Sequence, residues 1–481
     1  MVGPEAVRFL EVPGPVSDAE DWRNAGRGRL WLYHLHYFDD LTAREFERRR
    51  DWHHALLQRW IRENPPGRVD GWDPYPTSLR ITNWIKWSLA SETVPGDLTV
   101  PLADSLAMQA RWLSRRLEVH LMGNHLWANA KALMVAGLFF EGPEAAGWLH
   151  RGLDVFRGQL DEQILADGGH FERSPMYHGI LLEDVLDLIQ LSGVFPGVLP
   201  PAVTDRLGLV ARQMLRWLEV MSHPDGDVSF FNDSAFGMAA PYAALAQHAG
   251  ALGVKVDGRG LGPIEVLPDS GYLRLQNDRA VVLCDVAPVG PDHQPAHAHA
   301  DTLSFELSLD GRRVFVNGGT STYAPGPERT RQRGTAAHNT VEVDNCNSSD
   351  VWGGFRVGRR ARPFDVRWGT SPQGLWAEGA HDGYQHTRNH VIHRRAWLLD
   401  SAGLTVTDSL EGAAGHAVAR FIFHPEAAAA SPGIIEVRCE PPVATTRRDA
   451  TWHPRFGRTV PTQALEVALA WPRTVTRMEW A

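Results

Sequence analysis

His297 and His299 stand two residues apart, and Asp301 follows at the same spacing. The next segment, residues 303 to 311, alternates apolar and polar side chains and ends on Asp-Gly, which predicts a strand entering a hairpin. In an extended segment, side chains two residues apart point to the same side. The two imidazoles, with a carboxylate close by, are therefore predicted to form a metal site or a proton-transfer site.

The alternative is that these are ordinary surface histidines, because the chain holds 22 histidines in all. A third histidine, His338, again stands just before an alternating segment, Val341 to Val343. A ligand that closes a metal site across neighbouring strands would be found at such a position. The cluster therefore favours a functional site over three unrelated surface residues.

The composition describes an ordinary globular chain. Its 481 residues, 43% of them hydrophobic, are enough for two domains, or for one large and one small domain. A formal net charge of −9, from 48 basic and 57 acidic residues, argues against a nucleic-acid partner. This overall charge does not exclude a local basic cleft that binds an acidic substrate.

The three cysteines, Cys284, Cys346 and Cys439, are scattered and odd in number, so neither a disulfide framework nor a cysteine zinc site is predicted. The sequence contains no apolar run of about 18 residues, so no membrane span is predicted. The first residues lack a basic segment followed by an apolar one, so no secretory signal is predicted. The compartment stays open between the cytoplasm and a trimmed secreted or periplasmic form.

The periodicity of the apolar residues changes along the chain. Up to about residue 255 they recur at helical spacing, as in Leu106, Ala110 and Leu113, and no strand pattern is evident. From about Gly271 the period becomes two, and a turn at Asn277 separates two alternating segments. We therefore predict a helical domain over residues 1–260 and an antiparallel β-sandwich or large antiparallel sheet over residues 261–481.

Two polar motifs interrupt the helical half. Asn124 and His125 precede an alanine-rich helix, where Asn124 is either the N-cap or, with the imidazole, part of a site for a carboxylate. Tyr177 lies in a polar loop with glycines, an arginine and histidines nearby. Such company would lower the pKa of the phenol and suit it to proton transfer, whereas a lone tyrosine in a loop is usually packed.

Aromatic residues and further polar clusters are candidate contacts for a substrate. Most of the 18 tryptophans are expected to pack between helices, but Trp72 and Trp127 adjoin polar motifs and are candidates to stack on sugars in a groove. Polar clusters at residues 72–84 and 231–234 either contact substrate or cap helices and turns.

Taken together, these motifs resemble the heparinase II/III family of polysaccharide lyases over nearly the whole chain. The residues that carry the resemblance are Asn124, His125, Glu172, Arg173, Ser174, Pro175, Met176, Tyr177, His178, His297, His299, Asp301, Arg333, His338, Asn339, Thr340, His381, Asp382, Gly383 and Tyr384. Their order, over a helical half and then a β half, is more specific than any one of them.

The resemblance implies an N-terminal incomplete (α/α) toroid of helical hairpins, a C-terminal antiparallel β-sandwich and an active site in the cleft between them. It also implies a divalent metal ion, manganese, zinc or calcium, with a structural role and with His299, Asn317 and His338 as ligands. The family commonly has aspartate where this chain has Asn317. Because a neutral amide binds a divalent ion less strongly than a carboxylate, this substitution bears directly on the metal site.

The activity that the resemblance implies is β-elimination on a uronic-acid polysaccharide of the glycosaminoglycan type: heparan sulfate, hyaluronan or chondroitin sulfate. Asn124 and His125 would neutralise the uronate carboxylate. Tyr177 would protonate the leaving O4 and would also remove a C5 proton on its own face, with His297 as base on the opposite face. The remaining candidate substrate contacts are Trp72, Trp127, Glu172, Arg173, His178, Arg333 and Tyr384.

Two other functions remain open from the sequence. A uronyl C5-epimerase begins with the same proton abstraction but returns a proton instead of expelling the leaving group. A catalytically silent sugar-binding or polysaccharide-assembly protein would keep the fold without turnover. In each case the expected partner is an acidic polysaccharide or oligosaccharide, not a nucleic acid or a membrane, and no oligomeric state is predicted.

Overall fold

A computed structural model describes residues 1–68, 70–90, 94–255, 258–412, 415–429 and 435–480. The chain divides into two compact units. The first, here the helical unit, comprises Met1–Gln163 and Asp187–Leu207; the second, here the sheet unit, comprises Ile164–Leu186 and Gly208–Ala481. The main change from helices to strands falls between Ala251 and Ile264. The two compact units, however, each consist of two separate segments of the chain. The domain boundary at residue 260 therefore stays a prediction.

Eleven α-helices lie within the described residues. Their bounds are α1 Arg29–Tyr37, α2 Arg50–Glu63, α3 Pro74–Ala90, α4 Gly96–Ser114, α5 Gly123–Phe139, α6 Pro143–Gln163, α7 Pro175–Val194, α8 Pro201–Met221, α9 Tyr242–Ala251, α10 Pro327–Arg333 and α11 Pro425–Ala429. Measured over the described residues, none of these helices has the length and apolar character that a transmembrane span requires.

Nineteen strands are found in the same residues. Their bounds are β1 Ala6–Phe9, β2 Val12–Pro15, β3 Ile264–Leu267, β4 Tyr272–Gln276, β5 Ala280–Asp285, β6 Phe305–Leu309, β7 Arg312–Phe315, β8 Val341–Val343, β9 Val351–Trp352, β10 Arg356–Val357, β11 Pro363–Ser371, β12 Gly374–Tyr384, β13 Val391–Leu399, β14 Gly403–Glu411, β15 Ala417–Ile422, β16 Glu436–Glu440, β17 Thr445–Arg455, β18 Arg458–Ala468 and β19 Arg473–Glu479.

The strands form three antiparallel sheets and two small hairpins. The five-stranded sheet has the order β3-β4-β5-β6-β7, the six-stranded sheet β11-β12-β13-β14-β19-β16, and the four-stranded sheet β17-β18-β15-β8. The two hairpins are β1-β2 and β9-β10. The predicted switch from helical to strand periodicity is therefore confirmed, and so is the turn at Asn277 between β4 and β5.

The helical unit has a core rich in tryptophan. Trp60, Trp84 and Trp87 are completely or almost completely buried, and the rings of Trp60 and Trp84 meet edge to face at 5.2 Å. Such edge-to-face pairs add to the free energy gained by burying the rings. The expectation that most of the tryptophans pack between helices is thus confirmed for this unit.

A short hairpin precedes the helices and was not predicted. Strand β1 pairs antiparallel with β2, and the turn between them places Leu10 and Glu11 at positive φ. Because each strand has only four residues and the second is Val-Pro-Gly-Pro, there is no run of alternating residues long enough to reveal it.

One apolar core of the sheet unit receives side chains from all three large sheets. Val282, Phe305, Trp397, Val406 and Phe421 are buried members of that core. On β13 and β14 buried and less buried residues alternate, so one face of each strand packs inward, whereas β5 is buried along its whole length. The inward residues fix the register of the strands and therefore the positions of the loops between them.

A buried polar network inside this unit holds two of those loops. Arg395 on β13 donates to Asp408 on β14 at 2.8 Å, and it also donates to the carbonyls of Leu303, at 3.0 Å, and Asn339, at 2.6 Å. Burial alone would raise the pKa of Asp408, but the Arg395 charge and the hydrogen bond from His393 lower it to about 2. The ion pair therefore fixes the segments that follow His299 and His338.

Candidate active site

The centre of the site is Asp233, a completely buried carboxylate in the sheet unit. Both of its oxygens pair with the guanidinium of Arg329, which is also buried. The Nδ1 atom of His297 lies 2.9 Å from one carboxylate oxygen, and the Nε2 atom of His299 lies 2.8 Å from the other. Asp233 thus holds both histidines of the motif with which the sequence analysis began.

The charges at Asp233 decide how His297 is oriented. Burial alone would raise the pKa of Asp233, but Arg329 and the hydrogen bonds from the two histidines hold this pKa well below its usual range. An ionised carboxylate only accepts hydrogen bonds, so the Nδ1–H of His297 donates to it. That arrangement leaves the Nε2 atom of His297 available to take or give a proton.

The backbone around Asp233 is tied to the loop that carries the histidines. The N–H of Asp233 donates to the His297 carbonyl at 3.0 Å, and the N–H of His299 donates to the Asn232 side chain at 3.0 Å. Asn232 has a φ of 56°, a conformation that asparagine tolerates better than most residues. The turn at residues 231–234 and the histidine loop are therefore held in a single arrangement.

His297 and His299 lie in a loop and not in the extended segment that was predicted. Strand β6 begins only at Phe305, and residues 297–302 are outside any strand. The two side chains nevertheless meet the same carboxylate, because Asp233 lies between them. Alternation predicted that the two side chains would point to the same side. They do meet at one group, but through hydrogen bonds to Asp233 and not through the geometry of a strand.

Tyr177 is brought to the same site by helix α7. Ser174 precedes the helix and accepts a hydrogen bond from the Tyr177 N–H at 3.2 Å, while its hydroxyl donates to the Asp233 carbonyl at 2.5 Å. The Tyr177 ring lies 4.0 Å from the His297 ring, centroid to centroid. The helix N-terminus and the Asp233 turn are thus joined, which fixes the tyrosine against the histidine.

Two further groups complete the surroundings of His297. The Tyr177 hydroxyl lies 3.0 Å from the hydroxyl of Tyr323. Burial and the nearby charge of Asp233 raise the pKa of Tyr323 well above its usual value, so this phenol stays protonated. The carboxylate of Glu172 lies 3.6 Å from the His297 Nε2 atom, which is too far for a hydrogen bond. Glu172 therefore does not hold a proton on Nε2, in agreement with the Nδ1–H tautomer that Asp233 fixes.

A second cluster adjoins the first through His299. The Nδ1 atom of His299 lies 3.2 Å from the Nε2 atom of His338, and ligand atoms of these two residues and Asp301 all lie within 4.8 Å of one another. Two nitrogens bound to one ion at about 2.1 Å in a tetrahedral site stand roughly 3.4 Å apart. The spacing of the two imidazole nitrogens therefore fits a shared divalent ion, with Asp301 close by as a further candidate ligand.

The protonation of the cluster also fits a metal. Burial lowers the pKa of His299 to about 4 and that of His338 to about 3, so both imidazoles are neutral, as metal ligands must be. Burial raises the pKa of Asp301, a cost that a cation would offset. The predicted ligand Asn317 is differently engaged, since its amide oxygen accepts from the Asn339 N–H at 3.0 Å. The structure thus places Asp301 beside the two histidines, while Asn317 is hydrogen-bonded to the backbone of Asn339.

Several predicted substrate contacts are instead structural residues. Arg333 is completely buried and donates to the Ala298 carbonyl at 2.9 Å, between the two site histidines. It is therefore not available to bind a substrate anion, and it positions the histidine loop. Tyr384 is also completely buried, and its hydroxyl donates to the Val341 carbonyl at 2.6 Å. The prediction that Tyr384 contacts the substrate is therefore wrong for this structure.

His178 and Arg173 are likewise buried next to Tyr177 without facing the site. The Nε2 atom of His178 lies 2.9 Å from the Met214 carbonyl, and its ring stacks on Trp217 at 4.2 Å. Arg173 donates to the Ser270 carbonyl at 3.0 Å. Both contacts bind α7 and the preceding loop to the rest of the sheet unit, so these two side chains position Tyr177 and do not reach a substrate.

The two tryptophans proposed as sugar-stacking residues are packed in the helical unit. Trp127 is 0% exposed and its ring lies 4.6 Å from the Phe156 ring. Trp72 is also buried, between Trp60 and Trp112, and its indole N–H donates to the Asn64 carbonyl at 3.1 Å. A buried ring offers no face to a sugar, so the packing interpretation holds for both.

Asn124 and His125 belong to the helical unit, where they lie in the first turn of α5. The residue that precedes this helix is Met122, so Asn124 is not the N-cap that its type suggested. His125 stacks on Tyr75 at 4.3 Å, and its Nδ1 atom lies 3.1 Å from a carboxylate oxygen of Glu118. The predicted position at a helix start is correct, and their role in carboxylate binding stays a prediction.

Three residues that organise the site were not predicted to belong to it. Asp233 falls in a polar cluster that the sequence did mark, but nothing distinguished its carboxylate from ordinary cap chemistry. Arg329 and Tyr323 carry no sequence signal, because their roles depend on contacts with Asp233 and Tyr177, which lie 96 and 146 residues earlier in the chain. A polar triplet such as Asn232-Asp233-Ser234 in an otherwise apolar stretch is the only clue that the sequence offers.

Comparison with known proteins agrees with this architecture. The family model described as "Heparinase II/III N-terminus" matches residues 36–249, and the model described as "Heparinase II/III-like, C-terminal" matches residues 259–474. A crystal structure titled heparinase III superposes with a TM-score of 0.73 at 19% sequence identity, covering 98% of this chain and 79% of that chain. The fold is therefore the predicted one, an N-terminal helical (α/α) toroid followed by an antiparallel β-sandwich.

Two curated relatives extend the comparison in sequence. FtsZ-localized protein C of Caulobacter vibrioides is 26% identical over 82% of this chain and 66% of its own length. A heparin-sulfate lyase of Pedobacter heparinus is 26% identical over 69% of this chain and 53% of its own length. The chain spans about a third to two thirds of the length of the curated relatives it matches. With both family models matched in order along it, this chain belongs to the heparinase II/III-like family.

Proposed function

We propose that this protein is a polysaccharide lyase that cleaves a uronic-acid polysaccharide by β-elimination. The observation that carries the proposal is the contact of the Tyr177 ring with His297, whose Nδ1 atom is held by the ionised Asp233. A phenol and an oriented imidazole side by side supply two proton-transfer groups at one site. The family supports this chemistry, since three of its curated relatives are named heparin-sulfate lyases.

The reaction needs one proton removed and one proton delivered. A base takes the C5 proton of the uronate, the electron pair left behind forms the C4–C5 double bond, and the C4–O4 bond breaks. The departing O4 receives a proton. In the proposed assignment Tyr177 protonates O4 and serves as base when the C5 proton is on its own face, while the Nε2 atom of His297 is the base from the opposite face.

Asp233 and Arg329 prepare His297 for this step. When the Nε2 atom takes a proton, the imidazole becomes positively charged, and the carboxylate 2.9 Å from Nδ1 stabilises that charge. The positive charge of Arg329 keeps Asp233 ionised, and it also offsets part of the negative charge of the carboxylate. The developing charge on the uronate carboxylate needs donors of its own, a role that the family resemblance assigns to Asn124 and His125.

We further propose that a divalent ion, manganese, zinc or calcium, is held by His299, His338 and Asp301. A bound ion there would keep the histidine loop rigid beside the base, a structural contribution. Native-state binding stabilises the fold, so chelation is expected to lower the melting temperature.

Paired variants separate the two histidines. His299→Ala and His338→Ala are expected to lose the metal and lower the melting temperature, with activity falling as a consequence. His297→Ala is expected to keep the metal and the melting temperature while turnover falls, most for polymers whose C5 proton faces away from Tyr177. The measurements are elemental analysis, thermal unfolding, and turnover on glucuronate-containing and iduronate-containing polymers. If His297→Ala loses the metal and His299→Ala keeps it, the assignment is reversed.

The experiment that tests the activity is a panel of heparan sulfate, hyaluronan and chondroitin sulfate, followed by the ultraviolet absorbance of the unsaturated uronate product. The relatives' names favour heparan sulfate as the first polymer to try. Absorbance that rises with one polymer supports the lyase proposal. Exchange of the C5 proton with solvent and no new absorbance would show an epimerase instead, and binding without either change would show a sugar-binding protein.

A further inference from the structure

An aromatic side chain on the β9-β10 hairpin is exposed to solvent next to the candidate base. Phe355, in the turn of this hairpin, is 43% exposed, and Trp352 at the end of β9 is 47% exposed. Two exposed aromatic side chains on one short hairpin are more typical of a binding surface than a single exposed side chain is. Among the described residues, only Trp368 and Trp471 are other aromatic side chains with comparable exposure.

Phe355 differs from the other exposed aromatic residues because one edge of it contacts the active site. Its ring centroid lies 5.8 Å from that of His297, with the two planes at 83°, and 5.2 Å from that of Tyr323. The side chain is therefore in contact with the proposed catalytic histidine and with the partner of Tyr177, and much of its remaining surface faces solvent.

The hairpin is held in place by the same arginines that hold the site. Arg329, which pairs with Asp233, also donates from Nε to the Gly354 carbonyl at 3.0 Å. Arg333, which donates to the Ala298 carbonyl, also reaches the carbonyls of Trp352 and Gly354 at 3.4 Å. Because one guanidinium binds both the site carboxylate and the hairpin turn, Phe355 has a fixed position relative to His297.

We propose that Phe355 is a substrate-positioning residue on which a pyranose ring stacks, at the subsite next to the uronate that reacts. This inference rests on the proposed function, because it names the part of the same substrate that the hairpin binds. The C–H face of a pyranose is apolar and matches a flat aromatic ring, whereas the charged groups of the polymer lie at its edges. Stacking of this kind contributes affinity without depending on the pattern of sulfation.

Steady-state kinetics of Phe355 variants test this role. Phe355→Ala and Phe355→Leu are expected to raise KM for the polymer roughly three- to tenfold, while kcat changes less than about twofold. Phe355→Trp, which restores a flat ring, is expected to return KM to within about twofold of the wild-type value. Trp368→Ala is the matched control, because Trp368 is similarly exposed, at 42%, but lies on β11, where it pairs with Ala377 of β12.

Binding without turnover keeps this inference separate from the lyase proposal. Titration of the same polymer into Tyr177→Phe and into Tyr177→Phe/Phe355→Leu compares affinity alone. If the wild-type protein binds the polymer without cleaving it and Phe355→Leu weakens that binding, the lyase proposal fails and the subsite stands. The subsite is wrong if no polymer binds, or if Phe355→Leu binds the polymer as tightly as its parent does. It is also wrong if Trp368→Ala raises KM as much as Phe355→Ala does, or if kcat and the melting temperature fall while affinity is unchanged.

Discussion

Replacing Tyr177 by phenylalanine is expected to lower turnover of a uronate polymer by at least about 100-fold, because the change removes the hydroxyl that would transfer protons. The ring itself stays, and so does its 4.0 Å contact with His297, so folding and polymer binding are expected to be unchanged. Turnover is measured from the ultraviolet absorbance of the product, with the melting temperature and polymer affinity of the same preparation alongside.

Tyr323→Phe is the matched control for that variant. It removes the other hydroxyl of the 3.0 Å pair, from a phenol that burial keeps protonated and that is therefore unsuited to act as a base. A smaller loss than for Tyr177→Phe is expected, since only the orientation of the Tyr177 hydroxyl is affected. If Tyr177→Phe keeps more than about a tenth of the wild-type activity, Tyr177 has no part in the chemical step.

The part of this structure that the sequence predicts well depends on repetition. Apolar residues at helical spacing become α4 and α8, and alternating segments become β4, β6 and β8, because burying one face of each element fixes its type. The histidine motif was also recognisable, since two imidazoles and a carboxylate at equal spacing are rare by chance. In each case a local pattern carries the information.

The part that the sequence does not predict depends on burial and on distant partners. Arg333 and Tyr384 have the residue types of a substrate site, yet both are buried and bind backbone carbonyls, Ala298 and Val341. Conversely, Arg329 carries no local signal, although it neutralises the central carboxylate. Whether a polar side chain faces a substrate or the protein interior is decided by tertiary packing, which a single sequence does not reveal.

The same argument explains why Asp233 is the most consequential residue of the site. It lies 64 residues before His297 and 96 before Arg329, and only the fold brings the three together. Its buried charge is balanced by a buried guanidinium, so removing either member alone leaves an uncompensated charge in the interior. A single substitution there should therefore affect both stability and catalysis.

Asp233→Asn is accordingly expected to reduce turnover by on the order of 1,000-fold or more, because an amide neither fixes the Nδ1–H tautomer of His297 nor stabilises the imidazolium. It is also expected to destabilise the protein by about 3–5 kcal/mol, since Arg329 loses its counter-ion. The pKa of Asp233 is depressed in the folded state, so its stabilisation is present above the unfolded pKa of about 3.9 and is lost below it. The difference in unfolding free energy between wild type and variant should therefore shrink as the pH falls below about 4.

A double variant and a control variant separate the effect of Asp233→Asn on stability from its effect on turnover. The double variant Asp233→Asn/Arg329→Met removes both charges together, so stability should partly recover while turnover stays low. Asp310→Asn is the control, because Asp310 pairs with Arg279 at 2.8 Å and the two side chains are 54% and 40% exposed, so little stability and no turnover should be lost. Denaturant unfolding and turnover are measured for Asp233→Asn, for the double variant and for the control variant. If turnover recovers with stability in the double variant, Asp233 contributes only to folding, and the orientation of His297 must come from another group.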